Sequence, residues 1–248
     1  MVKQKNLKKF FLINKTKKIL FYLLLLSLTF SQQTFAEDDR RFIDVSKSPI
    51  EGITPQSFVP NGWAIEKKVE GDLNSDKQPD MVLELIENEA ITSKKNEKSN
   101  PRYRAMLVLF KTQEGKFKLA TTADHLLPCS ICGGTYAVPD IVPQIKINRG
   151  IIIIETEFGG GSKETCRQVQ RFRYDLELNK FVLIGADVNI ASENTLESTN
   201  YLTGVKLIEQ FKYDESSGKD AVISTRKETV SKEKKLMEQL DYEDSFCL

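Results

Sequence analysis

Residues 150–188 read GIIIIETEFGGGSKETCRQVQRFRYDLELNKFVLIGADV, and this stretch decides the fold class. It contains three short runs rich in β-branched and aromatic residues, GIIIIETEF, CRQVQRFRY and FVLIGADV. Polar or glycine-rich turn residues separate the runs, a pattern typical of β-strands rather than of helices. The stretch therefore predicts strands that are joined by turns.

The same pattern continues on both sides of this stretch. Upstream, the runs WAIEKKV, MVLELIE and RAMLVLF begin at Trp63, Met81 and Arg104. Three segments, LVLFKTQEGKFKLA, VQRFRYDLELNKFVLIG and IEQFKYDESSGKDAVIS, each have the pattern of a β-hairpin around a polar turn. Their unequal spacing argues against a strict repeat. We predict an all-β fold, an antiparallel hairpin meander that forms a partial propeller-like arrangement or an open β-sheet or sandwich.

The two ends of the chain differ from this β region. Residues 1–36 place seven lysines before the apolar run ILFYLLLLSLTF, which is the order of a secretory signal. That run is shorter than the ~20 residues that a spanning helix needs, and the alternative is an uncleaved membrane anchor. We predict a signal peptide at 1–36, an extended segment at 37–62, the β domain at 63–230 and a short C-terminal helix or tail at 231–248.

Removal of the signal peptide would change the net charge of the chain. The full chain carries 36 basic and 35 acidic residues, a net charge of +1. Without the seven N-terminal lysines, 29 basic residues face 35 acidic ones, a net charge of about −6. Such a domain has no excess of Lys and Arg with which to bind nucleic acid, and no membrane span is expected after cleavage. We predict a periplasmic or secreted protein whose partner is another envelope or extracellular protein.

Residues 71–80, GDLNSDKQPD, carry oxygen-bearing side chains at alternate positions. Calcium takes six to eight oxygen ligands, and a tight loop supplies them from alternate places. The predicted ligands are Asp72, Asn74, Asp76, the backbone carbonyl of Gln78, and Asp80 directly or through water. The alternative is a polar turn in which the Asp and Asn side chains accept hydrogen bonds from backbone amides.

The stretch GDLNSDKQPDMVLEL resembles the calcium loop and following strand of FG-GAP or VCBS-type repeat proteins, whose pattern is Asp-x-(Asp/Asn)-x-Asp-Gly-x-x-Asp. The four side-chain positions match, and Lys77 stands where that pattern has glycine. Most of residues 58–214 resembles a group of bacterial exported proteins that carry one such loop and have no assigned activity. The resemblance implies an exported β protein with one structural calcium loop, since a full propeller would need several.

Four cysteines, Cys129, Cys132, Cys166 and Cys247, are disulfide candidates, because exported proteins meet an oxidising environment. Four cysteines allow three connectivities, and the sequence does not choose among them. The Cys129-x-x-Cys132 pair has two alternatives: a redox dithiol, or a zinc site completed by Cys166 and His125, the only histidine of the chain.

These features predict an exported binding or interaction module with one structural calcium loop. The alternative is an extracytoplasmic enzyme, either a thiol–disulfide oxidoreductase that uses the CxxC pair or a hydrolase. No G-x-S-x-G turn accompanies the single histidine, so the sequence identifies no catalytic residues for a hydrolase.

Overall fold

The computed structural model describes residues 42–46, 48–88, 101–132, 142–159 and 165–244, and they form two antiparallel sheets connected by turns. This confirms the predicted all-β class. The predicted signal peptide at 1–36 lies outside the described residues.

The first sheet has five strands in the order β1-β5-β4-β3-β2. Its strands are β1 (Glu51–Gly52), β2 (Trp63–Gly71), β3 (Asp80–Glu87), β4 (Arg104–Lys111) and β5 (Phe117–Ala123). The second sheet has seven strands in the order β12-β11-β10-β9-β8-β7-β6. Its strands are β6 (Gln144–Asn148), β7 (Ile151–Phe158), β8 (Cys166–Asp175), β9 (Lys180–Ile190), β10 (Thr195–Asn200), β11 (Val205–Asp214) and β12 (Lys219–Thr229).

Within both sheets, strands that follow one another in sequence lie side by side, as in a meander. The three hairpins predicted from the sequence are β4–β5, β8–β9 and β11–β12. Only the two-residue strand β1 leaves this order, because it pairs with β5 at the edge of the first sheet. The predicted hairpin meander is therefore confirmed.

The two sheets pack face to face through a shared hydrophobic core. This core contains Leu73, Val82, Met106, Val108, Ala123, Leu126, Leu127, Ile145, Ile152, Ile154, Phe172, Phe181, Leu183 and Met237. A second core covers the opposite face of the five-stranded sheet, where Ile43 and Phe58 of the N-terminal segment pack against Leu83, Leu85 and Leu107. Since both of its faces are covered, every residue of β3 is buried.

The C-terminal segment packs against the body of the protein as a tail with two short 3-10 turns, Met237–Gln239 and Tyr242–Asp244. Leu236 forms a β-bridge with Val182, and the Met237 side chain is fully buried. Between the two options predicted for 231–248, the described part of the segment is thus a tail, and its end at 245–248 lies outside the described residues.

Candidate functional site

The predicted calcium loop connects β2 to β3 where the two sheets meet. Gly71 ends β2 and pairs with Asp80, the first residue of β3. A Cβ atom on Gly71 would lie 2.5 Å from Cγ2 of Ile147 on β6, so this position has no room for a side chain. The glycine therefore lets the loop begin in direct contact with the second sheet.

The side chains of the loop fold back onto its own backbone. Asp72 accepts hydrogen bonds from the amides of Ser75 (2.7 Å) and Lys77 (2.9 Å), one on each carboxylate oxygen. Asp76 accepts one from the amide of Gln78 (2.7 Å), and the Asn74 Oδ1 atom accepts one from the amide of Asp76 (3.0 Å). These bonds are those of the predicted polar turn, and they leave further lone pairs on each oxygen.

Two residues of the loop adopt positive φ, Ser75 at 66° and Lys77 at 69°. Lys77 occupies the sixth place of the loop, where calcium loops commonly use glycine to make a sharp turn. The backbone therefore takes the conformation that the missing glycine would favour. A non-glycine residue in this region costs roughly 1–2 kcal/mol.

Asp80 lies at the base of the loop and is fully buried. Its two carboxylate oxygens accept hydrogen bonds from the amides of Leu73 (2.8 Å) and of Lys111 on β4 (2.9 Å). Burial raises the pKa of Asp80 above its usual value and the two amides lower it, while the negative charges of Asp76 and Asp72 raise it further. A cation near this group of carboxylates would relieve their mutual repulsion.

The donor set of the loop fits calcium in its chemistry, because every predicted ligand is a hard oxygen atom. Within the described ranges, no group of three or more His, Cys, Asp and Glu side chains is placed to hold a metal ion. A calcium site here would therefore depend on the amide oxygen of Asn74 and the carbonyl of Gln78 as well as on the carboxylates.

Cys129 and Cys132 form a disulfide with a Cα–Cα distance of 5.0 Å. Cys129 is fully buried, and the hydroxyl of Tyr242 donates a hydrogen bond to Sγ of Cys132 (3.2 Å). Cys166 is also disulfide-bonded, and Cys247 lies outside the described residues. In this arrangement the sulfurs of Cys129 and Cys132 bond to each other and are not zinc ligands.

His125 lies beside this disulfide loop but faces acidic side chains. Its Nδ1 atom lies 3.3 Å from Oδ2 of Asp241, and its Nε2 atom lies 3.7 Å from Oδ1 of Asp124. Its ring stacks on Phe42 with the centroids 4.3 Å apart. The contact with Asp241 attaches the C-terminal tail to the body of the protein, and the contact with Phe42 attaches the N-terminal segment.

A charge cluster, formed by the buried Glu84 and Arg104 and by the exposed Glu66, has no counterpart among the sequence predictions. The fully buried Arg104 guanidinium binds Glu66 through Nε (2.7 Å) and Nη2 (3.3 Å), and its Nη1 atom donates to the carbonyl of Pro128 (3.2 Å). Glu84 lies 3.5 Å from Arg104 Nε, and neither of its carboxylate oxygens has a hydrogen-bond partner. The feature of the sequence that could have predicted this cluster is Glu84 itself, because it is an acidic residue inside the apolar run MVLELIE.

Comparison with protein-family models, with curated proteins and with solved structures finds no match for this chain. The resemblance of the loop to FG-GAP or VCBS-type repeats therefore stays a prediction. Over the residues that the structure describes, no helix has the length and apolar character needed to cross a bilayer.

Proposed function

We propose that this protein is an exported binding or interaction module, periplasmic or secreted, in which the 71–80 loop holds one structural calcium ion. The observation that carries this proposal is the backbone of the loop. Lys77 takes a φ of 69° at the sixth place, and Asp72, Asn74 and Asp76 are held by the loop's own amides at alternate positions. That conformation costs energy without glycine, and a bound cation would compensate for it.

The role that we propose for calcium is to hold the two sheets together. Asp80 already connects the loop to β4 through the Lys111 amide, and Gly71 contacts Ile147 on β6. An ion bound by Asp72, Asn74, Asp76 and the Gln78 carbonyl, with Asp80 directly or through water, would make this junction more rigid. The ion would stabilise the fold, while binding to a partner would use other surfaces.

Calorimetry and thermal unfolding of the protein with and without calcium test the proposal. Extracellular modules bind calcium with dissociation constants of about 0.1–1 mM, so 10 mM calcium should add about 1–3 kcal/mol to the free energy of unfolding. Asp76→Asn should abolish this gain, and Lys77→Gly should increase it, because the substitution removes a positive charge from beside the bound cation. Glu70→Gln, which removes an exposed charge just before the loop, should keep it. If calcium produces neither heat nor a rise in Tm, the calcium part of the proposal fails.

The alternative function is a thiol–disulfide oxidoreductase that acts through Cys129 and Cys132. One contact favours it, because the Tyr242 hydroxyl that donates to Cys132 would also stabilise a Cys132 thiolate after reduction. Thiol counting on the native protein after treatment with dilute dithiothreitol tests this alternative. A redox-active pair gives two new thiols, assigned to Cys129 and Cys132 by peptide mapping, before the protein unfolds. A Cys129–Cys132 pair that stays oxidised until unfolding rules the oxidoreductase out.

A further inference from the structure

A cleft lies beside the 71–80 loop, where parts of three connections meet. Its walls are Leu73–Ser75 of that loop, Arg149–Gly150 between β6 and β7, and Arg173–Glu177 at the end of β8. Its volume is about 380 Å³, which lies in the range of ~300–1,000 Å³ that small-molecule pockets occupy.

Arg173 differs from the other two arginines that alternate along the same strand. Arg167 pairs with Glu155 (2.7 Å), and Arg171 pairs with Asp187 (2.6 Å). Arg173 lies between the apolar residues Ile151 and Val182 of the neighbouring strands, so no carboxylate stands opposite it. Its guanidinium has no hydrogen bond or ion pair to any residue that the structure describes, and it lines the cleft.

Arg149 reaches the same cleft from a strained turn. It has a φ of 51°, and Gly150 after it has a φ of 74°, so both central residues of this two-residue hairpin turn have positive φ. Such turns favour Asn-Gly, and an arginine in the first position stores strain. Within the described ranges, the Arg149 guanidinium also has no hydrogen bond or ion pair. A strained residue that presents a free charge to a cleft indicates a role in binding.

The acidic groups of the cleft do not neutralise both arginines. Asp175 is already engaged, because it accepts hydrogen bonds from Nζ of Lys234 (2.6 Å) and from the amides of Glu177 and Leu178 (3.1 Å each). The Lys234 contact is the main reason that the pKa of Asp175 is lowered. Glu177, which is exposed, is the one remaining carboxylate in the lining. The lining of the cleft therefore contains two arginines and a single unengaged acid.

We propose that Arg149 and Arg173 form a binding site for a phosphate or sulfate group in this cleft. Guanidinium groups bind such tetrahedral anions through paired charge-assisted hydrogen bonds. Because the cleft is larger than one such anion, the group can be a free ion or an ester on a small molecule. The site does not require calcium in the adjacent loop, so it is independent of the function proposed above.

Titration of the protein with inorganic phosphate, followed by amide NMR shifts, tests this site. The buffer contains EDTA and has constant ionic strength, so the result does not depend on the calcium loop. We expect saturable shifts in residues 73–75, 149–150 and 173–177, with chloride giving none. Glucose 6-phosphate distinguishes the two sources, because an ester-binding site takes it more tightly than the free ion and a free-ion site takes it more weakly.

Two variants and a matched control make the test specific. Arg173→Gln and Arg149→Asn should each weaken phosphate binding by about tenfold or more. Arg149→Asn should also raise Tm, because asparagine tolerates positive φ better than arginine does. Lys118→Gln, which removes an exposed charge on β5, should leave binding unchanged. The proposal is wrong if wild-type protein gives no saturable shift, or if Lys118→Gln weakens binding as much as the two arginine variants.

Discussion

Glu84 is an acidic side chain in a buried environment, which favours its protonated form. Burial, and after it the negative charge of Glu66, raises the pKa of Glu84 to about 7, and the charges of Arg104 and Lys67 oppose this only in part. Arg104 directs its shortest contact to Glu66, which lies at an irregularity in the β2–β3 register. Glu84 is therefore left as a buried acid that keeps its proton near neutral pH.

This proton makes the stability of the protein depend on pH. The folded state keeps the Glu84 proton up to about pH 7, whereas the unfolded chain releases it near pH 4.5. The free energy of unfolding should therefore fall as pH rises from about 4.5 to 7, by up to about 3 kcal/mol. Glu84→Gln, which reproduces the protonated form, should remove most of this fall. Urea unfolding at pH 5, 6, 7 and 8 measures it.

The urea unfolding series at different pH values includes a control variant. Glu70→Gln removes an exposed acid from β2 and should keep the wild-type pH dependence. Asp80, whose pKa is also raised by burial, contributes to the pH dependence in the same direction as Glu84. Exposed acids with a lowered pKa, such as Glu114, act in the opposite direction and at lower pH. An unchanged slope in Glu84→Gln would show that Glu84 is already ionised at pH 5.

At the scale of elements, the sequence predicts those strands that bury apolar side chains. The runs MVLELIE, RAMLVLF and IIIIETEF all appear as strands close to their predicted bounds. By contrast β10, TLESTN, has one apolar residue and gives no strand signal. It forms because its backbone pairs with β9 on one side and β11 on the other, which a local pattern does not reveal.

The C-terminal tail and the 71–80 loop also have contacts that a local sequence pattern does not predict. Leu236 and Leu240 have helical spacing, but the amide of Leu183 donates to the carbonyl of Lys235 and keeps that part of the tail extended. In the loop, the alternating oxygens are visible in the sequence. The bond from the Lys111 amide to Asp80 is not, because it joins residues 31 positions apart. The sequence thus predicts which polar groups a loop contains. Contacts between residues far apart in the chain can be identified only from the folded structure.

At the scale of the whole molecule, the two sheets and the tail share one core. Met237 packs among residues of both sheets, and the side chain of Glu238 beside it contacts Thr121 on β5 and Lys180 on β9. Because the core is formed by both sheets and the tail together, it should unfold in a single transition. We therefore expect the described region to unfold as one cooperative unit.

Two optical probes and one substitution test this cooperativity. Fluorescence of Trp63, the single tryptophan of the chain, reports on the five-stranded sheet, and far-UV circular dichroism reports mainly on the larger sheet. Their thermal midpoints should coincide. Met237→Ala should lower both midpoints together, at a cost of about 2–5 kcal/mol, whereas Glu233→Ala in the exposed part of the tail should change either by less than ~0.5 kcal/mol. Separate midpoints, or a shift in one probe alone, would mean that the sheets unfold independently and that the tail belongs to only one of them.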